Sequence, residues 1–254
     1  MLDAVEAVAR AAALAGGSAL AERYADGDTE GEYSAHDVKA AADVASEARM
    51  LPVVRQAFPD HAVFSEEAGE FEGTEYRWVL DPLDGTNNFT AGLATFSAAV
   101  AVLRAGDPML AVVHLPATQE TYVARRGDGV RYQNEYVNAE SDVPTEAGTV
   151  ATIIGREVPN DQERMAVARA IDDAVEERVK RVVRSWAPTV HASLLARGRL
   201  QGLVQFHPNE EEQAVTELLA EESGAAIRRH GPLFVAAGDE TTLEVLWDAA
   251  SGVR

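Results

Sequence analysis

The sequence predicts a layered fold that mixes helices and strands, of the α/β or α+β class. Two observations support this class: stretches with helical periodicity alternate with strand-like stretches along the chain, and several strands follow one another directly in its middle part. The consecutive strands argue against a simple repeated βαβ unit. We therefore expect layers of helices packed on a central sheet.

The first half of the chain opens with two helices and continues with strands. Apolar residues recur at helical spacing over residues 2–23, and a second helical stretch runs over residues 37–57, just before Pro59. Glycine and proline separate the apolar runs that follow, which is typical of consecutive strands. The predicted strands are residues 62–65, 77–80, 96–103, 110–115 and 121–124.

The second half returns to alternating elements. The predicted strands are residues 149–154, 179–183 and 203–206, with two short strands around Ile227 and Phe234. The predicted helices are residues 162–174, 190–197, 210–222 and 241–250. At 254 residues without an internal repeat, we expect one domain over residues 1–254, built of two closely packed α/β halves that meet near residues 145–150.

Composition narrows the class of protein. Apolar residues make up 46% of the chain, enough for a sizeable core. No apolar run approaches the roughly 20 residues of a membrane helix, and Asp3 and Glu6 stand where a signal peptide has basic residues, so we expect a cytoplasmic protein without a membrane partner. Cysteine is absent, which excludes disulfides, thiolate nucleophiles and cysteine zinc sites. Any metal must therefore bind oxygen atoms or histidine.

The chain has a large excess of acidic over basic residues. The net charge is −20, and Lys39 and Lys180 are the only lysines. Such a surface repels nucleic acids and anionic membranes, so neither is an expected partner. Acidic excess with little lysine resembles proteins of salt-loving organisms, in which counterions screen the self-repulsion. An ordinary acidic bacterial protein is the alternative.

The stretch from Trp78 to Phe89 carries the strongest chemical signal. A hydrophobic strand ends in Asp81, and the Pro82 and Gly85 positions predict a turn that brings Asp84 to the same side. Magnesium prefers oxygen ligands in octahedral geometry, usually one or two carboxylates with carbonyls, waters and substrate phosphate. The Leu83 carbonyl lies between the two acids. The motif therefore predicts a magnesium site.

Two neighbouring features complete the candidate site. The backbone N–H groups of Gly85 and Thr86, at a turn, are suited to hold phosphate oxygens. A second acidic pair, Glu66 and Glu67, follows the strand that ends at Ser65. In so acidic a protein an isolated pair of this kind is usually a solvated turn, but here it accompanies a second strand-end carboxylate cluster.

These motifs resemble those of the inositol monophosphatase family. Ser65-Glu66-Glu67 followed by Asp81-Pro-Leu-Asp84-Gly-Thr86 is similar to the family's paired motifs, and the second is highly specific. Residues 37–43, 113–129 and 185–202 resemble further family segments, so that the resemblance covers residues 2–246. The family also includes archaeal fructose-1,6-bisphosphatases and 3′(2′),5′-bisphosphate nucleotidases. The resemblance implies an αβαβα sandwich.

The resemblance also implies residue roles in a metal-dependent phosphatase. Glu66, Asp81, Asp84 and the Leu83 carbonyl would hold two or three Mg²⁺ ions. Thr86 and Asp43 would position and deprotonate the attacking water, assisted by Glu67. Metal ions lower the pKa of bound water and stabilise the leaving oxygen. Because phosphoryl transfer depends mainly on positioning and charge neutralisation, no arginine or lysine clamp is expected.

One expected metal ligand is changed. The family supplies an aspartate from a Trp-Asp pair at the start of a late helix, and an ungapped count places Glu211-Glu212 there. Glu212 keeps the carboxylate and is a candidate ligand; the alternative is a solvated acidic first turn favoured by the helix dipole. Trp247-Asp248 imitates the missing pair, but we assign it to the packing of the closing helix.

The expected substrate pocket also departs from the family. Ala187-Pro188-Thr189 replaces Gly-Ser-Ala, Gln205 replaces an acidic residue that contacts inositol, and Lys39 replaces a threonine. We expect Thr189 and Gln205 to contact substrate, and fructose-1,6-bisphosphate or another sugar phosphate is as good a candidate as inositol monophosphate.

Alternatives to this phosphatase remain open. One alternative is a catalytically weak relative that binds metal or phosphate as a regulatory protein. Another is a 3′(2′),5′-bisphosphate nucleotidase, for which the sequence has no evident aromatic or basic base-binding surface. The resemblance suggests a homodimer. The six histidines have no metal-like spacing and are assigned to packing or surface, with His207 as a candidate substrate contact.

Overall fold

The computed structural model describes residues 2–33, 38–66 and 68–253, and for residues 38, 39, 210 and 211 it describes the backbone alone. Seven α-helices lie in this part of the chain. They are α1 (Leu2–Asp26), α2 (Ala41–Ala57), α3 (Thr86–Thr90), α4 (Gln162–Glu176), α5 (Pro188–Leu195), α6 (Glu210–Glu222) and α7 (Glu240–Ser251). Short 3₁₀ helices span Thr145–Ala147 and Val158–Asn160.

In the described part of the chain, ten strands precede the 3₁₀ helix Thr145–Ala147 and five follow it. The first ten are β1 (Gly31–Tyr33), β2 (Val38–Ala40), β3 (His61–Ser65), β4 (Gly69–Phe71), β5 (Thr74–Asp84), β6 (Ser97–Arg104), β7 (Asp107–Leu115), β8 (Glu120–Arg125), β9 (Gly129–Tyr132) and β10 (Glu135–Val137). The last five are β11 (Thr149–Ile154), β12 (Arg181–Val183), β13 (Gly202–Phe206), β14 (Ala226–His230) and β15 (Leu233–Ala237).

These strands form two main sheets and one small ribbon. The larger sheet has eight strands in the order β10-β9-β8-β7-β6-β5-β3-β4, antiparallel except for the parallel pair β3-β5. The smaller sheet has five strands in the order β12-β11-β13-β15-β14, with β11 parallel to both neighbours. Strands β1 and β2 pair with each other. The larger sheet ends before the 3₁₀ helix Thr145–Ala147 and the smaller one begins after it.

The helices and sheets stack in five layers. Helices α1 and α2 cover one face of the larger sheet, α5 and α6 lie between the two sheets, and α4 and α7 cover the outer face of the smaller sheet. Three apolar cores fill the spaces between these layers. The predicted layered sandwich is confirmed.

Side-chain alternation along β5 explains how the larger sheet serves two cores. Trp78 and Leu80 point into the core under α1 and α2, whereas Val79 points into the core that contains α5 and α6. Successive strand residues face opposite sides, so one apolar strand is buried on both faces. A strand of this kind delivers its C-terminal residues into the interior of the molecule.

Two sequence predictions about local structure need correction. Helix α2 begins at Ala41, and the preceding residues Val38–Ala40 form strand β2. Strand β5 does not end at residue 80 but continues through Pro82 to Asp84, with an irregular register between Asp81 and Asp84. The chain turns at Gly85, and Pro82 is tolerated because the pairing with β6 is interrupted there.

Helix α1 is more apolar than the sequence analysis allowed. An 18-residue window has a mean hydropathy of 1.3, so by length and composition the helix meets a test for a membrane span. Half of that window is buried inside the protein, where α1 packs against α2 and strands β6 and β7. Gly16 permits the close crossing, since a Cβ there would lie 2.6 Å from Ser46 Oγ. Packing in the core accounts for the apolar character of α1.

Candidate active site

The end of β5 brings two aspartates into one buried region. Asp81 and Asp84 are 8% and 3% exposed. Their strand neighbours on β6 are Ala99 and Ser97, and the pairing is irregular between these two points. This irregularity places two carboxylates of one strand next to each other, where a regular strand separates them along its length.

A glycine turn follows directly. Gly85 has φ of 84° and a Cβ at this position would lie 2.8 Å from the Thr95 carbonyl oxygen, so both its conformation and its surroundings require glycine. Helix α3 starts at Thr86, whose Oγ1 donates to the Leu83 carbonyl at 3.0 Å. Asn88 Nδ2 donates to the Thr95 carbonyl at 2.7 Å and the Ser185 carbonyl at 2.5 Å. The turn is therefore tied to the segment before α5.

Asp84 is fixed by the start of α5. Its Oδ2 accepts hydrogen bonds from Thr189 N at 3.0 Å, Thr189 Oγ1 at 2.5 Å and Val190 N at 3.4 Å. Thr189 Oγ1 also lies 2.7 Å from Ser97 Oγ. Three donors on one oxygen hold this carboxylate in a single orientation and stabilise its charge.

Helix α2 contributes a third acid and supports the segment that carries Glu66. Asp43 is 6% exposed, and its Oδ2 accepts a hydrogen bond from Ala40 N at 3.0 Å. One turn further along, Glu47 Oε1 accepts hydrogen bonds from Ser65 Oγ and, at 3.0 Å, from Ala68 N. Glu47 thereby anchors both sides of the loop in which Glu66 lies.

An arginine from the smaller sheet reaches two of the candidate ligands. Arg156, just after β11, places Nη1 2.5 Å from Glu66 Oε1 and Nη2 3.4 Å from Glu212 Oε1. Its backbone N donates to Asn209 Oδ1 at 3.1 Å, and Asn209 Nδ2 donates to Glu212 Oε2 at 3.1 Å. Asn209 precedes α6 but makes no side-chain capping bond, because its amide is used in these two contacts.

These groups line one cavity of about 290 Å³. Acidic and polar groups from both sheets form one part of its wall, and an apolar part of the wall lies beside them. The apolar residues are Ile153, Ile154, Pro159, Trp186 and Pro188. Trp186 is 43% exposed and has φ of 40°, a left-handed conformation that is uncommon for a large side chain. The cavity wall thus combines carboxylates with apolar and aromatic side chains.

The carboxylates of the cavity repel one another in a buried setting. Burial raises the pKa of Asp81 well above its usual value, with further contributions from Asp84, Glu66 and Glu212. Burial, followed by Glu212, raises the pKa of Asp84 to about 7, although the hydrogen bonds from Thr189 oppose the shift. Burial also raises the pKa of Glu212. For Arg156, burial lowers the pKa, but Glu66 and Glu212 outweigh it and hold the pKa above its usual value.

The donor set fits a hard cation. Asp81 Oδ1 is buried and has no hydrogen-bond partner among the residues that the structure describes. An unpaired buried carboxylate oxygen is costly, and a divalent cation among several carboxylates removes that cost. Within residues 2–33, 38–66 and 68–253, however, no three acidic or histidine side chains are close enough to form a ready-made metal site. In the described structure Glu66 and Glu212 are paired with Arg156 instead.

The structure brings most of the predicted site residues to the cavity. Those that line it are Asp43, Glu66, Asp81, Leu83, Asp84, Gly85, Thr86 and Glu212. Glu67 lies outside the described residues. Trp247 packs into the core beneath α7 and is not part of the cavity wall, as the sequence analysis expected.

Two expected substrate contacts are not placed at the cavity. Thr189 is fully buried behind Asp84, so its role is to hold that carboxylate and not to touch a substrate. Gln205 is 1% exposed in the interior strand β13 and is absent from the cavity wall. His207 is likewise not among the lining residues. Their burial contradicts the expected substrate contacts of Thr189 and Gln205, whereas the contact expected for His207 stays a prediction.

The cavity residues that were not predicted from the sequence include Arg156, Asn209 and Trp186. Arg156 and Asn209 follow the predicted strands 149–154 and 203–206, so a strand-end position was a usable signal for each. Trp186 precedes a predicted helix and had no such signal. The expectation that no arginine is needed also overlooked Arg156, which is bound to two candidate ligands.

Comparison with known proteins identifies the family. The sequence model described as the inositol monophosphatase family matches residues 1–238. The chain belongs to the inositol monophosphatase family, which confirms the resemblance drawn from its motifs.

Relatives and a solved structure agree with this assignment. The chain is 29% identical over 231 residues to the fructose-1,6-bisphosphatase/inositol-1-monophosphatase of Aquifex aeolicus, covering 89% of this chain and 86% of that protein. It is 28% identical over 225 residues to a Haemophilus influenzae protein named Nus factor SuhB, covering 87% and 83%. The structure of inositol monophosphatase from Anabaena superposes with a TM-score of 0.82 at 23% identity, covering 100% of this chain and 97% of that one. This likeness shows the same fold.

Proposed function

We propose that the chain is a Mg²⁺-dependent phosphatase that hydrolyses a small phosphate monoester. The observation that carries the proposal is the buried, unpartnered Oδ1 of Asp81 in a cavity that it shares with Asp84, Glu66 and Glu212. Family membership supports the reaction class, and the Aquifex relative carries the name of a phosphatase. Five carboxylates and one arginine line this cavity, and magnesium supplies the further positive charge that such a site needs.

The proposed ligands are Glu66, Asp81, Asp84, Glu212 and the Leu83 carbonyl, for two or three ions. The ions, when bound, neutralise phosphate charge and lower the pKa of water. Glu212 keeps the carboxylate that the family places at the start of this helix. Asn209 Nδ2 donates to Glu212 Oε2 at 3.1 Å and so helps to orient this longer side chain. The phosphate is proposed to lie against Gly85 and Thr86 at the cavity wall.

The water-activating pair is Thr86 and Asp43. The Thr86 hydroxyl donates its proton to the Leu83 carbonyl, which leaves its oxygen lone pairs available to accept a hydrogen bond from the attacking water. Asp43 lines the same cavity and is proposed to accept the proton of the attacking water directly. Water attacks phosphorus, the ester P–O bond breaks, and the products are an alcohol and inorganic phosphate.

The candidate substrates are inositol monophosphate, fructose-1,6-bisphosphate and related sugar phosphates. The apolar wall with Trp186 gives a ring-shaped leaving group a surface to lie on. The same tryptophan and Arg156 also provide the aromatic and basic groups that a nucleotidase needs and that the sequence analysis did not find. A bisphosphorylated nucleoside therefore stays among the candidates.

The test is phosphate release from inositol-1-phosphate, fructose-1,6-bisphosphate and 3′-phosphoadenosine-5′-phosphate, with Mg²⁺ or with EDTA. Molar potassium chloride guards against the instability that the net charge of −20 predicts at low salt. Release from one ester that requires Mg²⁺ and is lost in Asp84→Asn supports the proposal. Hydrolysis that survives Asp84→Asn contradicts the site assignment.

A regulatory protein is the second candidate. Relatives of similar identity carry the name Nus factor SuhB, which is not the name of an enzyme. The pairing of Glu66 and Glu212 with Arg156 is also compatible with a site that binds without turnover. Folded protein that binds Mg²⁺ but releases no phosphate from any of the three esters favours this candidate. The expected homodimer and cytoplasmic location stay predictions.

A further inference from the structure

Arg156 connects the two glutamates among the proposed metal ligands. Its Nη1 lies 2.5 Å from Glu66 Oε1 and its Nη2 lies 3.4 Å from Glu212 Oε1. We propose that Arg156 is a tethered cation that competes with divalent metal for these two carboxylates and, once displaced, binds the phosphate of the substrate. This inference rests on the proposed metal-dependent phosphatase.

The carboxylate oxygens of Glu66 and Glu212 have two possible cationic partners, Arg156 and a metal ion. Glu212 already uses both oxygens, Oε1 with Arg156 and Oε2 with Asn209 Nδ2 at 3.1 Å. A metal ion that takes Glu66 and Glu212 as ligands competes with the guanidinium, because two cations close to the same carboxylate oxygens repel each other in a partly buried site. Metal binding therefore weakens this ion pair, and the ion pair weakens metal binding.

Arg156 is anchored at its backbone, whereas its side chain is half exposed. Its N–H donates to Asn209 Oδ1 at 3.1 Å, and the preceding Gly155 lies so close to His207 that a Cβ would be 1.7 Å from the His207 carbonyl oxygen. The side chain, by contrast, is 50% exposed. Because the backbone is fixed and the side chain is half exposed, the guanidinium can change partners without movement of strand β11.

The substrate phosphate is the next partner of the displaced guanidinium. Arg156 lines the same cavity as Gly85 and Thr86, against which the substrate phosphate is proposed to lie. A guanidinium offers five N–H donors in a planar fork that matches phosphate oxygens. Displacement by metal therefore moves a phosphate-binding group from protein carboxylates to substrate at the moment when the metal is in place.

The proposal predicts opposite effects on two probes. Arg156→Gln removes the competing cation, and we expect Mg²⁺ to bind about threefold to tenfold more tightly by titration calorimetry at one fixed ionic strength. The same substitution removes a phosphate contact, and we expect inorganic phosphate to bind about tenfold more weakly at saturating Mg²⁺. Arg156→Lys keeps the charge without the bridging fork and should tighten Mg²⁺ binding less than Arg156→Gln does.

Arg164→Gln is the matched control. Arg164 is 45% exposed and its Nε lies 3.2 Å from Asp161 Oδ2, on the outer face of α4 and away from the cavity wall. Its loss removes the same formal charge and should change neither Kd. This control separates local competition from the general effect of one positive charge on a strongly acidic protein.

The outcomes distinguish this inference from the proposed function. Unchanged or weaker Mg²⁺ binding in Arg156→Gln, with wild-type protein that binds Mg²⁺, overturns the role of Arg156 alone. Equal tightening in Arg156→Gln and Arg164→Gln also overturns it. Wild-type protein that binds no Mg²⁺ overturns the proposed function as well. If Arg156→Gln does not fold, Arg156→Met, which also removes the charge, takes its place, and unchanged Mg²⁺ affinity in that variant contradicts the competition.

Discussion

Thr189 Oγ1 lies 2.5 Å from Asp84 Oδ2, and this is the shortest of the three hydrogen bonds that the oxygen accepts. Because Thr189 starts α5 and Asp84 ends β5, this contact fixes a carboxylate of the larger sheet against a helix that packs between the sheets. It explains how a fully buried threonine controls the site without lining the cavity.

Thr189→Val tests this positioning role. The substitution keeps the shape and the backbone donors but removes the hydroxyl from Asp84 and Ser97, and we expect a loss of about 1–3 kcal/mol in the free energy of unfolding. We also expect a rise in the Mg²⁺ concentration needed for half-maximal hydrolysis, since Asp84 is less well oriented. Thr189→Ser should restore the Mg²⁺ requirement. An unchanged requirement in Thr189→Val contradicts the positioning role.

Asp43→Asn separates catalysis from helix capping. An asparagine oxygen can still accept the Ala40 N–H, so the free energy of unfolding should change by less than about 0.5 kcal/mol. Loss of the carboxylate base should lower kcat about 100-fold or more. Asp239→Asn is the control, because Asp239 caps α7 through Thr242 N at 2.9 Å and lies away from the cavity. Equal kcat values for the two variants contradict the role of Asp43.

His191 predicts a pH dependence of stability. Burial lowers the pKa of His191 from 6.5 to about 4, and its Nδ1 is buried without a partner in the described part of the chain. Between these two values the unfolded chain binds more protons than the folded protein, so the free energy of unfolding falls as pH is lowered from 6.5 towards 4. The contribution lost is up to about 3 kcal/mol.

The comparison with His191→Gln isolates this contribution. Urea unfolding of both proteins at several pH values should give curves that converge as the pH falls through this window, because the variant has no imidazole to protonate. Glutamine keeps a polar group for Ser185 Oγ, which lies 2.8 Å from His191 Nε2. Parallel stability curves would show that His191 does not titrate in this way.

Trp186→Ala tests the apolar wall. We expect a KM several-fold higher for a ring-bearing phosphate ester and an unchanged kcat, since the tryptophan is proposed to contact the leaving group and not the phosphorus. Glycerol phosphate, which has no ring, is the control substrate and should be affected little. Trp186→Gly should be about 1 kcal/mol more stable than Trp186→Ala, because φ of 40° favours glycine. Equal KM changes for both substrates contradict the proposal.

Local signals explain which parts of the site were predictable. Asp81, Leu83, Asp84 and Gly85 lie within five consecutive residues. A buried strand followed by proline and glycine indicates their convergence without knowledge of the rest of the fold. The layered class was predictable for the same reason, since periodicity is a property of short segments. The end of β5 was harder to predict, because irregular pairing with β6 extends the strand through Pro82.

Long-range packing explains what the sequence could not reveal. Arg156 and Glu66 are far apart along the chain, and their contact depends on how the two sheets face each other across α5 and α6. Gln205 lies on β13, whose residues are all buried, so side-chain alternation does not indicate which face opens to the cavity. The sequence does not distinguish Glu47 from the other polar residues of α2, although Glu47 anchors the loop that contains Glu66.

The central claim is that Asp81 binds magnesium for phosphate-ester hydrolysis. The most direct measurement is the initial rate of inorganic phosphate release as a function of Mg²⁺ concentration, for wild-type protein and Asp81→Asn, with the best ester of the substrate panel. We predict saturable, Mg²⁺-dependent release by the wild type and a rate at least about 1000-fold lower in folded Asp81→Asn at every Mg²⁺ concentration. Release that is independent of Mg²⁺, or equal in the two proteins, would contradict the account.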